Sequence, residues 1–393
     1  DPGLTDSEWA LAVDAGFTFV RLLVFWEGVE PEEGVWDAEY LARLDERLYQ
    51  LDALGLEVML DMHQDLWGEG FGSHGAPYWS CDPINYEEYS PAGNYWWEGY
   101  LTDQVANCFN GLWESEELQE HVARSWARLA GVARDHPSVV GYEVMNEPFF
   151  GRFEQDEMDE VILPAFYERV IDAIRAVDPC EAEGGCRFVA LEPSLHTNLL
   201  WTTSLVFPDR EGLVFAPHFY PAYAEIGSGW DGSFEAEAAA LGELTGHAEA
   251  SGVPFLLGEY GIFSSDGNEH VFVQSVIDEV EAMGGATAYW SYDHGGDHML
   301  LTPEGEAGWM MGAFHRPYLH RVPGRIVSVE GFAGGVEVVY EPTVDAPAVA
   351  IVPTEVGEAR VAGATVSARD GVRWTLAPDA PMDGRVVLRI EAD

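Results

Sequence analysis

Six apolar runs in the chain carry, within them or at their ends, side chains able to do chemistry. They are Arg21, Asp61-Met62-His63-Gln64-Asp65, Asn146-Glu147-Pro148, His218-Phe219-Tyr220, Glu259-Tyr260-Gly261 and Trp290-Ser291. Two of them carry a lone glutamate, Glu147 and Glu259, while the others supply Arg, His, Asn, Tyr and Trp. Two carboxyls in such company suit cleavage of a glycosidic bond. One must stay protonated to assist the departing oxygen, and the other must be ionised to attack the anomeric carbon. Arg21 can keep the attacking carboxylate ionised by charge and hydrogen bonding. The Asn146 amide can bond a sugar 2-hydroxyl, a contact that strengthens in the transition state. Trp290 offers a flat face to a sugar ring. Each residue alone reads as readily as an ion pair or a core side chain, and it is their recurrence along successive runs that points to a site.

The elements that must hold these residues alternate. Apolar runs at 17–25, 58–61, 139–145, 188–191, 213–216, 255–257 and 286–290 read as strands buried on both faces, as in a parallel sheet. Helical patterns separate them: a capping box at Thr5-Asp6-Ser7-Glu8 opens a helix that stops at Gly16, and others cover 37–54, 164–177 and 271–283. This is the order of a (β/α)8 barrel, in which reactive residues stand at the C-terminal ends of the strands. Seven runs are visible and the chain opens on a helix, so the expected first strand would precede residue 1. After about residue 321 the helical period vanishes. Short β runs at 336–340, 349–352, 372–376 and 386–390, parted by Gly, Pro and Asp, predict an antiparallel β-sandwich over 322–393 behind a barrel over 1–321.

Composition narrows the function further. Among 393 residues there are 69 acidic and 19 basic ones, a formal net charge of −50, and every basic residue is arginine. Such a surface repels nucleic-acid backbones and anionic lipid headgroups, which argues against nucleic-acid partners and tight membrane insertion. Without lysine there is no Schiff base, no pyridoxal-phosphate anchor and no P-loop lysine. Cys81, Cys108, Cys180 and Cys186 fit no zinc spacing. Their even number suggests disulfides in a secreted or periplasmic protein, and local spacing favours Cys81–Cys108 with Cys180–Cys186 among three connectivities. Two other signals are weak. Gly227-Ser228-Gly229-Trp230-Asp231-Gly232 matches G-x-G-x-x-G but follows no strand, and His294, Asp297 and His298 could ligate a metal but lie on the loop after Trp290. We expect a monomer with no cofactor and no metal.

The order Arg21, His63, Asn146-Glu147, His218, Tyr220, Glu259 and Trp290 resembles glycoside hydrolase family five, of the retaining barrel glycosidases. The stretches Val20–Glu27, Leu60–Asp65, Met145–Phe149, Pro217–Pro221, Leu257–Gly261 and Tyr289–Ser291 are similar, more narrowly, to its endoglycoceramidase branch, which also carries a C-terminal β-sandwich. The resemblance implies a retaining hydrolase that separates a β-linked glycan from ceramide. It implies Glu147 as acid/base and Glu259 as nucleophile, with Arg21, His63, Asp65, Asn146, His218, Tyr220, Trp290 and Ser291 around the sugar.

A glycolipid hydrolase also needs apolar surface for the lipid chains. The segment 66–109 is rich in Trp and Tyr, and Phe149, Phe150, Phe153, Ile226, Ile262 and Phe263 are expected on the loops beside the site. An endo-β-1,4-glucanase or a β-glucosidase is the alternative within the family. A glycan-binding protein without activity is the alternative of another class.

Overall fold

A computed structural model describes the chain except residues 1, 2, 92, 94, 181–184, 228, 229, 264–266, 297 and 333. Ser228 and Gly229 of the glycine-rich stretch, and Asp297, therefore lie outside the described residues, as does the side chain of Ile226. In chain order the main elements are α1 (Asp6–Asp14), β1 (Phe19–Val24), α2 (Ala38–Leu54), β2 (Glu57–Met62), α3 (Asp103–Glu114), α4 (Glu116–Ala133), β3 (Val139–Glu143), α5 (Leu163–Arg175), β4 (Phe188–Leu191), β5 (Leu213–Phe215), β6 (His218–Phe219), α6 (Glu235–Ser251), β7 (Leu256–Tyr260), α7 (Glu269–Ala282) and β8 (Ala286–Tyr289). Eight antiparallel strands follow: β9 (Tyr318–Arg321), β10 (Gly324–Phe332), β11 (Gly335–Pro342), β12 (Ala348–Ile351), β13 (Ala359–Ala362), β14 (Ala364–Asp370), β15 (Arg373–Pro378) and β16 (Val386–Ala392). The fold class is a (β/α)8 barrel with a C-terminal β-sandwich. The run expected at 213–216 continues as a separate short strand, β6, after a break at Pro217, which has no N–H to donate to a ladder.

The chain forms two compact units, one of residues 19–218 and 246–254, the other of 1–18, 219–245 and 255–393. The first contains a five-stranded sheet in the order β1-β2-β3-β4-β5, with parallel pairing throughout. Its helices follow local rules. In α2 the Asp37 side chain caps the N-terminus, Gly55 ends the helix in the left-handed region, and Leu44, Leu48 and Leu51 form the buried stripe. The register sets Leu23 beside Asp61 and Asp61 beside Glu143, so acidic side chains gather at one level of the sheet.

The second unit contains the parallel pair β7-β8 and both sheets of the sandwich, β10-β11-β16-β13 and β14-β15-β12-β9. Strict alternation builds the sandwich core. Val386, Leu388 and Ile390 point inward while Val387 and Arg389 face solvent, and Val336, Val338, Tyr340, Trp374 and Leu376 complete the interior. Helix α1 rests on this sandwich. Thr354 N–H donates to the Asp14 carbonyl at 2.8 Å, Tyr318 Oη–H donates to the Gly16 carbonyl at 2.8 Å, and a Cβ on Gly16 would come within 2.9 Å of the Pro353 ring. Gly16 has φ +93°, so it needs glycine for conformation as well as for space.

Both disulfides of the expected pairing are present, Cys81–Cys108 with a separation of 27 residues and Cys180–Cys186 with one of 6. Loop-closure entropy assigns about 3.5 kcal/mol to the longer bridge and about 2 kcal/mol to the shorter. Replacing Cys81 and Cys108 by serine should therefore lower the denaturation midpoint more than the same change at Cys180 and Cys186. Equilibrium unfolding in urea measures the difference.

Candidate active site

In the first unit the candidate residues centre on Arg21. From β1 its guanidinium reaches the acidic level formed by β2 and β3. Nε donates to Glu143, Nη2 donates to Asn146 Oδ1 at 2.7 Å, and Nη2 lies 3.1 Å from Asp61 Oδ2 and 3.6 Å from Glu192 Oε1. Asp61 and Glu143 are wholly buried and the arginine side chain nearly so. Buried charges persist only when paired and hydrogen-bonded, and here one guanidinium serves three carboxyls.

His63 supplies the second cation. Its Nδ1 lies 2.7 Å from Asp61 Oδ2 and its Nε2 3.4 Å from Asp65 Oδ2. Burial works against the imidazolium, but the Asp61 and Asp65 carboxylates outweigh it and hold His63 up to about 10.

Asn146 and Glu147 follow β3 on an irregular turn. Glu147 has φ +42°, a left-handed conformation that costs a residue with a Cβ and has to be held by its surroundings. Gln64 does the holding, because its Nε2 donates to the Asn146 carbonyl at 3.0 Å and the Glu147 carbonyl at 3.1 Å. In return Asn146 Nδ2 donates to the Gln64 carbonyl at 3.0 Å, which with the Arg21 bond fixes the orientation of the Asn146 amide. Glu147 Oε1 accepts from Asn198 Nδ2 at 2.8 Å and stands 3.0 Å from His218 Nδ1. Burial, then the Asp65 charge, push the Glu147 carboxyl up to about 7 against the pull of His63 and Arg21. A carboxyl in that state can give up a proton near neutral pH and take one back.

The second unit carries Glu259 and its neighbours. Glu259, on β7, is buried and accepts a hydrogen bond from Tyr220 Oη–H at 2.8 Å on Oε1. Tyr220 in turn stacks on His298, whose Nε2 lies 3.1 Å from the Ala224 carbonyl. Trp290 is half-buried, its N–H donates to the Tyr260 carbonyl at 2.9 Å, and its peptide bond to Ser291 is cis. Ser291 Oγ–H donates to Asp293 at 3.0 Å. A Cβ on Gly261 would meet the Trp290 carbonyl at 2.6 Å, so the backbones of these two strand ends can approach only through glycine. His294 Nε2 sits 2.5 Å from Glu8 Oε1 in the capping box of α1, so both histidines of the weak metal signal have protein partners.

Reading run ends overlooked Glu143, Glu192, Gln64 as a clamp, and Asn198. Glu192 carries the same signal as the others, since it follows the apolar run of β4 directly. Asn198 lies in a short helix, 196–200, and nothing in the sequence marks it. The apolar expectation divides. Phe149 and Ile262 are core side chains rather than surface, Phe150 and Phe153 are half-buried, and Phe263 is exposed. In the segment 66–109, Trp67 and Tyr100 are buried while Tyr78, Tyr95 and Trp96 face solvent.

The chain is similar to endoglycoceramidase I of Rhodococcus hoagii (strain 103S), 26% identical over 348 residues covering 82% of this chain and 67% of that one. It is similar over a shorter stretch to the endoglycoceramidase of Cyanea nozakii, 28% identical over 193 residues, 42% of this chain and 38% of that one. Among solved structures, endo-glycoceramidase II from Rhodococcus sp. in a ganglioside GM3 complex matches with a TM-score of 0.89 and 26% identity, covering 100% of this chain and 93% of that one. The model of the cellulase family, glycosyl hydrolase family 5, matches residues 5–296, so the chain belongs to that family and is a glycoside hydrolase.

Proposed function

We propose that the protein is a retaining endoglycoceramidase-like hydrolase, with Glu147 as acid/base and Glu259 as nucleophile. The observation that carries the assignment of Glu147 is its environment. Burial keeps its carboxyl protonated near neutrality while Asn198 and His218 converge on one of its oxygens. Glu259, held by the Tyr220 hydroxyl, then attacks the anomeric carbon, and the sugar passes to its carboxylate as Glu147 protonates the leaving oxygen. In the second step Glu147 takes a proton from water, which attacks the glycosyl-enzyme and restores the starting configuration. Arg21, His63, Asp65, Asn146, Trp290 and Ser291 complete the sugar site. The substrate class, a β-linked glycan on ceramide, is supported by likeness along the whole chain to a hydrolase solved with a ganglioside. The two disulfides support secretion or a periplasmic location, and among the described residues no helix is long and apolar enough to cross a membrane. The exposed Tyr78, Tyr95, Trp96 and Phe263 are suited to the lipid portion. We take the enzyme to act as a monomer.

Replacing Glu259 by alanine should abolish turnover, with azide rescuing it to give the inverted glycosyl azide. Glu147→Ala should slow a poor leaving group by ~10²–10⁴-fold and spare a dinitrophenyl glycoside in the first step. Because the acid form of Glu147 is the active one in glycosylation, kcat/KM should fall as pH rises through about 7. A pH-rate profile in which Glu147→Gln has lost that limb would assign it. The family's own description as cellulase favours a glucanase as the second reading. The comparison that decides is kcat/KM on lactosylceramide in detergent against cellotetraose. Preference for cellotetraose would replace the glycolipid assignment with the glucanase.

A further inference from the structure

Behind Glu147 stands a carboxyl that the mechanism above does not use. Glu192, just after β4, is 2% exposed. Its Oε1 lies 3.3 Å from His218 Nε2, and the other nitrogen of that ring, Nδ1, lies 3.0 Å from Glu147 Oε1. One carboxyl oxygen therefore lies near each nitrogen of the His218 ring, the buried Glu192 on one side and the partly exposed Glu147 on the other. We propose that Glu192 is a neutral carboxylic acid whose proton sets the tautomer of His218, and so determines which oxygen of Glu147 carries the catalytic proton. The inference rests on Glu147 being the acid/base.

The charge count around Arg21 leads there first. Glu143 holds Nε, and Asp61 has the guanidinium at 3.1 Å and His63 at 2.7 Å. Glu192 is the outlying member, 3.6 Å from Nη2. Every element around it presents a titratable or charged group: Arg21 from β1, Asp61 from β2, Glu143 from β3, Tyr167 from α5, His218 from β6, and Glu147 beyond. A buried carboxyl among like charges, with the weakest hold on the shared cation, is neutralised most cheaply by a proton. Burial first, then the Glu143 charge, hold Glu192 well above the usual carboxylate range, which agrees with the geometry.

The consequences follow from hydrogen-bond polarity. A neutral Glu192 donates its O–H to His218 Nε2, so the imidazole keeps its hydrogen on Nδ1 and donates it to Glu147 Oε1. Asn198 donates to that same oxygen. With two donors on Oε1, the Glu147 proton resides on Oε2. An ionised Glu192 would instead take a hydrogen from Nε2, leave Nδ1 as an acceptor, and draw the Glu147 proton onto Oε1. The two arrangements differ by the single proton on Glu192. Glu192 is therefore a positioning residue, acting on substrate only through His218 and Glu147.

Nitrogen-15 NMR of histidine-labelled full-length protein near pH 6, without substrate, reads the tautomer directly. The expected result is a neutral His218 with its hydrogen on Nδ1; a hydrogen on Nε2, or an imidazolium, overturns the proposal. Kinetics give an independent reading. Glu192→Met should slow a poor leaving group by ~10²-fold and spare a dinitrophenyl glycoside, while Glu192→Gln, whose amide also donates to Nε2, should recover turnover to within about threefold. Equal loss in both variants would mean that Glu192 works as an anion, and the proposal would fail. Should Glu147→Ala prove fully active on poor leaving groups, it is the acid/base reading that fails, and the substrate-free NMR result still reports on Glu192 separately.

Discussion

The candidate residues of the first unit depend on one guanidinium buried among carboxyls. Arg21 binds Glu143 and Asn146, approaches Asp61 and Glu192, and is the cation that makes their common burial tolerable. It also reaches the site by indirect routes. The Arg21 bond orients the Asn146 amide, that amide donates to the Gln64 carbonyl, and the Gln64 side chain holds the strained backbone at Glu147. Removing this cation would leave several buried acids unpaired, a larger cost than losing any one hydrogen bond.

Acidity is arranged in depth. The outermost carboxyl, Asp65, is partly exposed and faces His63; the next layer, Asp61 and Glu143, is buried and paired; and Glu192 lies against His218. Such layering gives the two glutamates different surroundings. Glu147 has burial and the Asp65 charge against ionisation, while Glu259 accepts the Tyr220 hydroxyl.

Much of this was legible in the sequence, for identifiable reasons. Parallel strands buried on both faces are apolar at successive positions, so runs such as 58–61 and 188–191 mark themselves and their ends mark the site. In the sandwich, β16 shows a clean period of two, whereas β10 does not: from Arg325 to Ser328 four consecutive residues face solvent, and the pattern that would announce a strand is missing. β9, β13 and β14 escaped for similar reasons, being short, partly exposed, or both. Residues that act on other residues were harder to see than residues at strand ends. Gln64 was visible only as part of a motif, and Asn198 depends on a tertiary approach that no local pattern encodes.

Helix α1 touches two things at once. Its C-terminal end is bonded to the sandwich through Asp14 and Gly16, and its Glu8 meets His294 and Tyr292, on the loop that follows Trp290. In mechanical terms it is a strut, with one end fixed to a stiff antiparallel framework and the other to a segment bearing an indole. Through these bonds that segment is tied to the framework. A module with no reacting group of its own can in this way limit how far a stacking surface drifts between one turnover and the next.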